Sequence, residues 1–238
     1  MGIDFGSFGL VAATADLADE PAAREHADAV EFRMDMATDP LDALEGYDGD
    51  LPLVATNRPT WEGGERPDGP ERLAELERAL GHDAVGAVDV ELAALRGESA
   101  AEAAGVDPGA VAAVVDRARE TDTAVIVSTH DFEGTPDRGR MRDLLGAAGE
   151  YGDVAKLAVT AGGPADAVAL LSVTQAATAD GERVATMAMG EAGRHTRAVA
   201  PCYGSKIGYA PVDPAAATAP GQYDLATLSD LVARLRDG

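Results

Sequence analysis

Lysine is almost missing from this chain: two residues, Lys156 and Lys206, stand against seventeen arginines. Positive charge of either kind is scarce, since 19 lysines and arginines face 42 aspartates and glutamates, for a formal net charge of −23. Such a chain lacks the basic face that nucleic acid and anionic membranes require, which argues against both as partners. A single cysteine, Cys202, excludes an intrachain disulfide and a cysteine-based metal cluster. No uninterrupted apolar run approaches the roughly 20 residues of a membrane span. The opening MGIDFGS has neither the basic start nor the apolar stretch of a signal peptide. Acids and histidines show no metal-ligand spacing such as H-x-x-x-H. A soluble cytoplasmic protein without a metal is expected.

The acid is spread along the chain rather than gathered in a tail, and alanine and other small residues abound. Acidity together with lysine loss suits a salt-filled cytoplasm, where at about 1 M salt a Debye length of roughly 3 Å screens an acidic surface. That accounts for the surface and is silent about chemistry. A length of 238 residues suits one α/β barrel of roughly 250 residues, and no Ser/Gly- or Pro-rich linker divides it. Residues 1–238 are therefore expected to form one domain.

Short apolar runs recur, each followed by a stretch long enough for a helix. Strands are expected at 9–14, 29–35, 51–57, 85–92, 123–129, 153–159, 183–189 and 202–209. Helices are expected at 70–81 and 163–178, each opening on Gly-Pro. A last helix carries Leu225, Leu228, Leu231, Val232 and Leu235 on one face. Eight β/α units in this length point to a (β/α)8 barrel. The competing open doubly wound sheet would carry a glycine-rich turn after its first strand, and TADLADE is not one.

Barrel function sits at the C-terminal ends of the strands, and here those ends are polar. Strand 2 ends with Glu31, Arg33 and Asp35 alternating, strand 3 runs into Arg58 and Glu62, and strand 4 ends with Asp89 and Glu91. Strand 5 ends at His130, strand 6 holds Lys156, and strand 7 ends with Met187 and Met189. A lone acid at a strand end is ordinarily solvated, but buried charges of mixed sign must compensate one another. A polar cluster at the barrel mouth, suited to a polar anionic small molecule, is expected. An ordinary lysine has a pKa of about 10.4. Burial beside cations such as Arg33, Arg58 or Arg197 would lower it and free the amine to attack a ketone. A structural lysine paired to Glu31, Asp89 or Glu91 fits its position equally well. His130 on the adjacent strand favours the first reading, because imine chemistry needs an acid/base that works near neutral pH. His26, His82 and His195 are given no role. Glycines in WEGG, MGEAG and YGSKIG give only a weak phosphate-cradle signal.

In order, VEFRMD, ATNRPTWEGG, VDVEL, VSTHDFEGTP, DVAKLAV, MAMGEAGRHTR, YGSKIGYA and TAPGQ resemble the type I 3-dehydroquinate dehydratases of the shikimate pathway. The resemblance spans residues 29–222 and is similar to the halophilic archaeal type. It implies a lyase that dehydrates 3-dehydroquinate to 3-dehydroshikimate without cofactor or metal. By the same resemblance Lys156 would form the Schiff base, His130 would be the general acid/base and Glu62 would orient it. Arg197 would pair with the substrate carboxylate. Glu31, Arg33 and Arg58 would hold the ring hydroxyls, Met187 and Met189 would line the pocket, and Thr218 and Gln222 would belong to a closing loop. Thr218 and Thr196 stand where serine is common, and Tyr209 where phenylalanine is. Thr14 is the candidate contact from strand 1. The resemblance also suggests a homodimer. A class I aldolase-like barrel and a non-catalytic metabolite-binding barrel are the alternatives. The first would favour a phosphate site after strands 7 and 8, and the second would be expected to have lost Lys156, His130 or Glu62.

Overall fold

The computed structural model describes residues 3–213, 215 and 221–236. Eight strands lie in it: β1 Gly9–Thr14, β2 Ala29–Arg33, β3 Leu53–Thr56, β4 Val85–Glu91, β5 Ala124–Asp131, β6 Val154–Thr160, β7 Val184–Met189 and β8 Ile207–Pro211. Helices separate them: α1 Glu20–Ala23, α2 Pro40–Glu45, α3 Pro70–Ala79, α4 Leu92–Arg96, α5 Ser99–Ala103, α6 Pro108–Glu120, α7 Arg138–Gly149, α8 Pro164–Ala179, α9 Thr196–Val199 and α10 Leu225–Arg236. All pairings are parallel, in the order β7-β6-β5-β4-β3-β2-β1-β8. This is a (β/α)8 barrel.

The seam between β7 and β8 is closed by the residues just before β8. Lys206 N–H donates to Val184 O at 2.7 Å, and its carbonyl accepts from Gly9 N–H at 2.9 Å. Ser205 Oγ accepts from Thr186 N–H at 3.1 Å. The eighth strand therefore starts later than the apolar pattern suggests. Ala200–Tyr203 is a 3-10 turn containing Pro201, and Gly204 follows at φ 101, where an added Cβ would run into Thr178. The expected helices at 70–81 and 163–178 appear as α3 and α8, with Pro70 and Pro164 in the first turn. In α10, Leu225, Leu228 and Val232 are buried, while Leu235 on its last turn is exposed. Among the described residues no helix is long and apolar enough to cross a membrane.

Inside the barrel, side chains stack in layers drawn from alternate strands. Ala29, Ala87, Val154 and Ile207 come from the even strands, and Val11, Val54, Ile126 and Ala185 from the odd ones; all belong to one apolar cluster. Two residues further along each even strand stand Glu31, Asp89, Lys156 and Tyr209, so the apolar plug ends abruptly in charge.

Ser205 tests the seam. It is buried, and Ser205→Ala leaves the Thr186 N–H without its acceptor. The loss should be about 1–3 kcal/mol, read as a lower urea midpoint at constant slope. An unchanged midpoint would show that closure does not rest on this bond.

Candidate active site

The charged layer forms the floor of a cavity of about 70 Å³ at the C-terminal ends of the strands. By the roughly 10–15 Å³ that one water needs, this is the scale of one small metabolite. Glu31, Arg33, Arg58, Glu62, His130 and Lys156 face it, as do Met187, Met189, Arg197 and Gln222. Thr218 lies outside the described residues. Thr14 does not line the cavity: its hydroxyl donates to Asp16 O and Asp19 Oδ2 at the turn after β1.

Lys156 is 5% exposed. Its Nζ sits 2.9 Å from Asp89 Oδ2, 3.7 Å from Glu31 Oε1 and 4.3 Å from the centre of the Tyr209 ring. The amine is thus held by two carboxylates and an aromatic face rather than set among cations, and Asp89 is its closest partner. Burial would raise the Asp89 carboxyl, but Arg58, Lys156 and a Ser128 hydroxyl bond overcome it and hold Asp89 below the usual carboxylate range. Arg58 donates from Nη2 to Asp89 and from Nη1 to both Glu91 and Ser128, at 2.7–2.8 Å. Arg33 grips Asp35 with two bonds of 2.9 and 2.7 Å. Thr56 donates to Glu31 at 3.0 Å.

Arg197 differs from these cations. It is 4% exposed, sits in the short helix α9 after β7, and has no carboxylate partner among the described residues. Burial alone pulls it down to about 10. Its Nε is buried without a hydrogen-bond partner. Among the buried groups around the cavity, Glu31, Asp35, Glu62, Asp89 and Glu91 are acids and Arg33, Arg58, Lys156 and Arg197 are bases, with Arg72 behind Glu91; each base but Arg197 has an acid beside it. The unmatched charge is at Arg197, where an anion would be held.

Glu62 and His130 form a pair. Glu62 Oε1 lies 2.9 Å from His130 Nδ1 and accepts from the His130 backbone N–H at 3.1 Å. Burial pushes the Glu62 carboxyl well up, with Glu91 and Asp89 adding to it and Arg58 opposing. Burial, Arg58 and Lys156 push the His130 imidazole well down. The segment carrying Glu62 is bound back to α3: Trp61 donates to Asp68, Arg66 pairs with Glu75, and Arg72 with Asp68. Glycine is needed where that segment turns. Gly63 has φ 79, and a Cβ there would strike the Phe132 ring, which stacks beside His130 with centroids 6.1 Å apart. A Cβ on Gly64 would strike Arg58 O. These glycines make room for close packing and give no sign of a phosphate cradle. Among the described residues no three His, Cys, Asp or Glu side chains group as a metal site.

Five residues at the cavity were not singled out from sequence as its lining: Thr56, Gly63, Phe132, Ala158 and Tyr209. Tyr209 showed only as a departure from a common phenylalanine. Alternation along β8 would have placed it inside, had the strand been started correctly.

A (β/α)8 barrel whose polar residues gather at the C-terminal mouth around a buried lysine and an unmatched arginine has the architecture of an enzyme for a small anion. A family model for type I 3-dehydroquinase matches residues 11–236. The chain is 60% identical to 3-dehydroquinate dehydratase of Haloarcula marismortui over 98% of this chain and 99% of the relative. It is 53% identical to that of Halobacterium salinarum over 98% and 100%. The solved 3-dehydroquinate dehydratase from Geobacillus kaustophilus matches with a TM-score of 0.82 at 26% identity, over 98% of this chain and 92% of that one. The chain belongs to the type I 3-dehydroquinase family.

The Glu62–His130 pair sets a stability window. Unfolded, the two groups titrate near 4.5 and 6.5, so the unfolded pair holds one proton between those values. With Glu62 raised, the folded chain keeps a carboxyl proton that the unfolded chain has lost, so the Glu62 contribution to stability falls as pH rises above 4.5. With His130 lowered, the unfolded chain takes up the imidazole proton first, so the His130 contribution falls as pH drops below 6.5. In urea unfolding at about pH 4, 5.5 and 8, wild type minus Glu62→Gln should fall as pH rises, and wild type minus His130→Asn should fall as pH drops. Two flat differences would show that neither group is shifted by folding.

Proposed function

We propose that the protein dehydrates 3-dehydroquinate to 3-dehydroshikimate, within the shikimate pathway of a salt-adapted cytoplasm, through a Schiff base on Lys156. Family membership and the names of the relatives support the reaction. The observation that carries the mechanism is Lys156 itself, one of two lysines in the chain, buried on the cavity floor with His130 and Arg197 facing the same space.

Arg197 takes the substrate carboxylate, which satisfies its buried guanidinium and fixes the ring above Lys156. Glu31, Arg33 and Arg58 hold the ring hydroxyls. Met187 and Met189 supply the apolar wall, and Gln222 lies at its side. Lys156 gives a proton to Asp89 and adds to the ketone carbon as the neutral amine. The former carbonyl oxygen takes one proton from the nitrogen and the one held by Asp89 and leaves as water, giving an iminium, an electron sink that acidifies the neighbouring C–H. His130, held neutral in this environment, takes that proton through the ring nitrogen not engaged by Glu62. The C–H electron pair flows toward the iminium nitrogen. On its return the C1 hydroxyl departs with the proton from His130 as a second water. Hydrolysis of the product imine, consuming one water, frees Lys156. Glu62 fixes the ring and its tautomer throughout. Arg197 suits a carboxylate and, lying unpaired after β7, favours this reading over an aldolase for phosphorylated sugars.

Borohydride added during turnover in molar salt should leave a reduced adduct on Lys156, found by peptide mapping. His130→Ala should still form it slowly while dehydration, followed by product absorbance, stalls by about 10²–10⁴-fold. An adduct on Lys206, or turnover with none, would sink the mechanism.

A further inference from the structure

One buried cation near the site lies outside the barrel. Arg72 is on α3, is 1% exposed and does not line the cavity. Its Nε donates to Asp68 at 3.0 Å, and its Nη1 donates to Glu91 Oε2 at 3.1 Å and to Asn57 O at 3.0 Å. Glu91 uses its other oxygen, Oε1, for Arg58. Arg58 uses Nη2 for Asp89 Oδ1, and Asp89 gives Oδ2 to Lys156. The chain Asp68–Arg72–Glu91–Arg58–Asp89–Lys156 alternates in sign over three acids and three bases. Glu91 and Asp89 each present separate oxygens to two cations. It runs from a helix outside the barrel to the amine on the cavity floor, and at Asp68 it also grips the segment that carries Glu62.

We propose that Arg72 is a positioning residue for this site: by holding Glu91 it fixes Arg58, and through Arg58 the share of Asp89 that is left for Lys156. Arg72 touches no substrate, and its effect passes through Glu91. Facing that carboxylate are Arg72 from α3, Arg58 after β3, Asp89 on β4 and Glu62 beyond β3. Burial and Asp89 push Glu91 up, and Arg72 and Arg58 oppose them. Without Arg72, Glu91 takes a proton and Arg58 keeps Asp89 as its only ionised partner. Asp89 then leans toward Arg58 and away from Nζ.

Two readouts separate this role from plain stability, and each is taken only on the folded fraction. One is the pH profile of kcat/KM for dehydration of 3-dehydroquinate; this arm rests on the function proposed above. The other is the rate of acetylation of Lys156 by acetic anhydride, mapped by mass spectrometry, which needs no substrate. Arg72→Met should lower kcat/KM and speed acetylation, each by at least about threefold, the low end of coupling within one ion-pair network. Its kcat/KM should recover toward high pH, where Glu91 ionises again. Arg72→Lys, which restores the charge, should move both readouts back toward wild type. Glu91→Gln imitates the protonated carboxylate, so it should copy Arg72→Met at low pH and lose the recovery; it decides the matter if Arg72→Met does not fold. Acetylation in Arg72→Met, or in Glu91→Gln, that matches wild type would overturn the inference, as would a lysine variant no better than the methionine one. Absence of dehydration by wild type would count against the proposed function alone, because acetylation still tests the chain of ion pairs.

Discussion

The constraint on which this structure depends is one ammonium inside a barrel. A lone buried cation is expensive, and the cost is met only when opposite charge and hydrogen bonds surround it. Lys156 therefore brings Asp89 and Glu31 with it, and those carboxylates bring Arg58 and Thr56. Arg58 in turn brings Glu91 and Ser128, and Glu91 brings Arg72 from outside the barrel. Burying one amine there commits residues on strands 2, 3, 4 and 5 and on helix α3.

Compensation also explains what is left over. Within the site every described buried cation but one has an acid beside it, and the exception, Arg197, faces the cavity. The chain as a whole carries −23 and would repel a small anion at low salt. In roughly molar salt the acidic surface is screened beyond about 3 Å while the buried groups are not. The acidic exterior and the charged interior, with its one unpaired cation at Arg197 among the described residues, can thus be shaped independently, since salt separates their fields.

The strands, the polar ends and most site residues could be read from sequence because alternation on a parallel strand fixes which side chains point inward. Lys156 and His130 were legible for this reason and through the resemblance they carry, and Glu62, in the turn after β3, through the resemblance. The start of β8 was not, since Cys202, Tyr203 and Gly204 look like strand residues until the 3-10 turn at Pro201 is known. Asp89 was legible as polar, yet its choice of Lys156 over Glu31's claim on the same amine depends on ångström-scale distances. Arg72 was invisible: in GPERLAELERAL it reads as one more charged residue on a solvent-facing stripe. The burial of Arg72 and Glu75 on the same turns as Leu73 and Leu76 shows that this helix packs a polar edge as well as an apolar one. Periodicity reports which face turns inward; it does not report that the interior it meets is charged.

The two lysines show what scarcity means. Lys206 is exposed at its tip, where Nζ donates one bond to Gly6 O at 2.8 Å, while its backbone closes the barrel seam. That bond asks only for a long donor, and the seam asks only for a peptide group; an arginine could meet both. Lys156 has no such substitute if it forms an imine, because a guanidinium never gives up its proton in the working range and is too delocalised to attack a carbonyl. Loss of lysine elsewhere thus has a simple surface cause, whereas the proposed imine supplies a chemical reason for keeping one at 156. Asp89 at 2.9 Å holds Lys156 as it also holds Arg58. Pairing explains how a cation is tolerated in the barrel; the proposed reaction at nitrogen would explain why that cation is lysine.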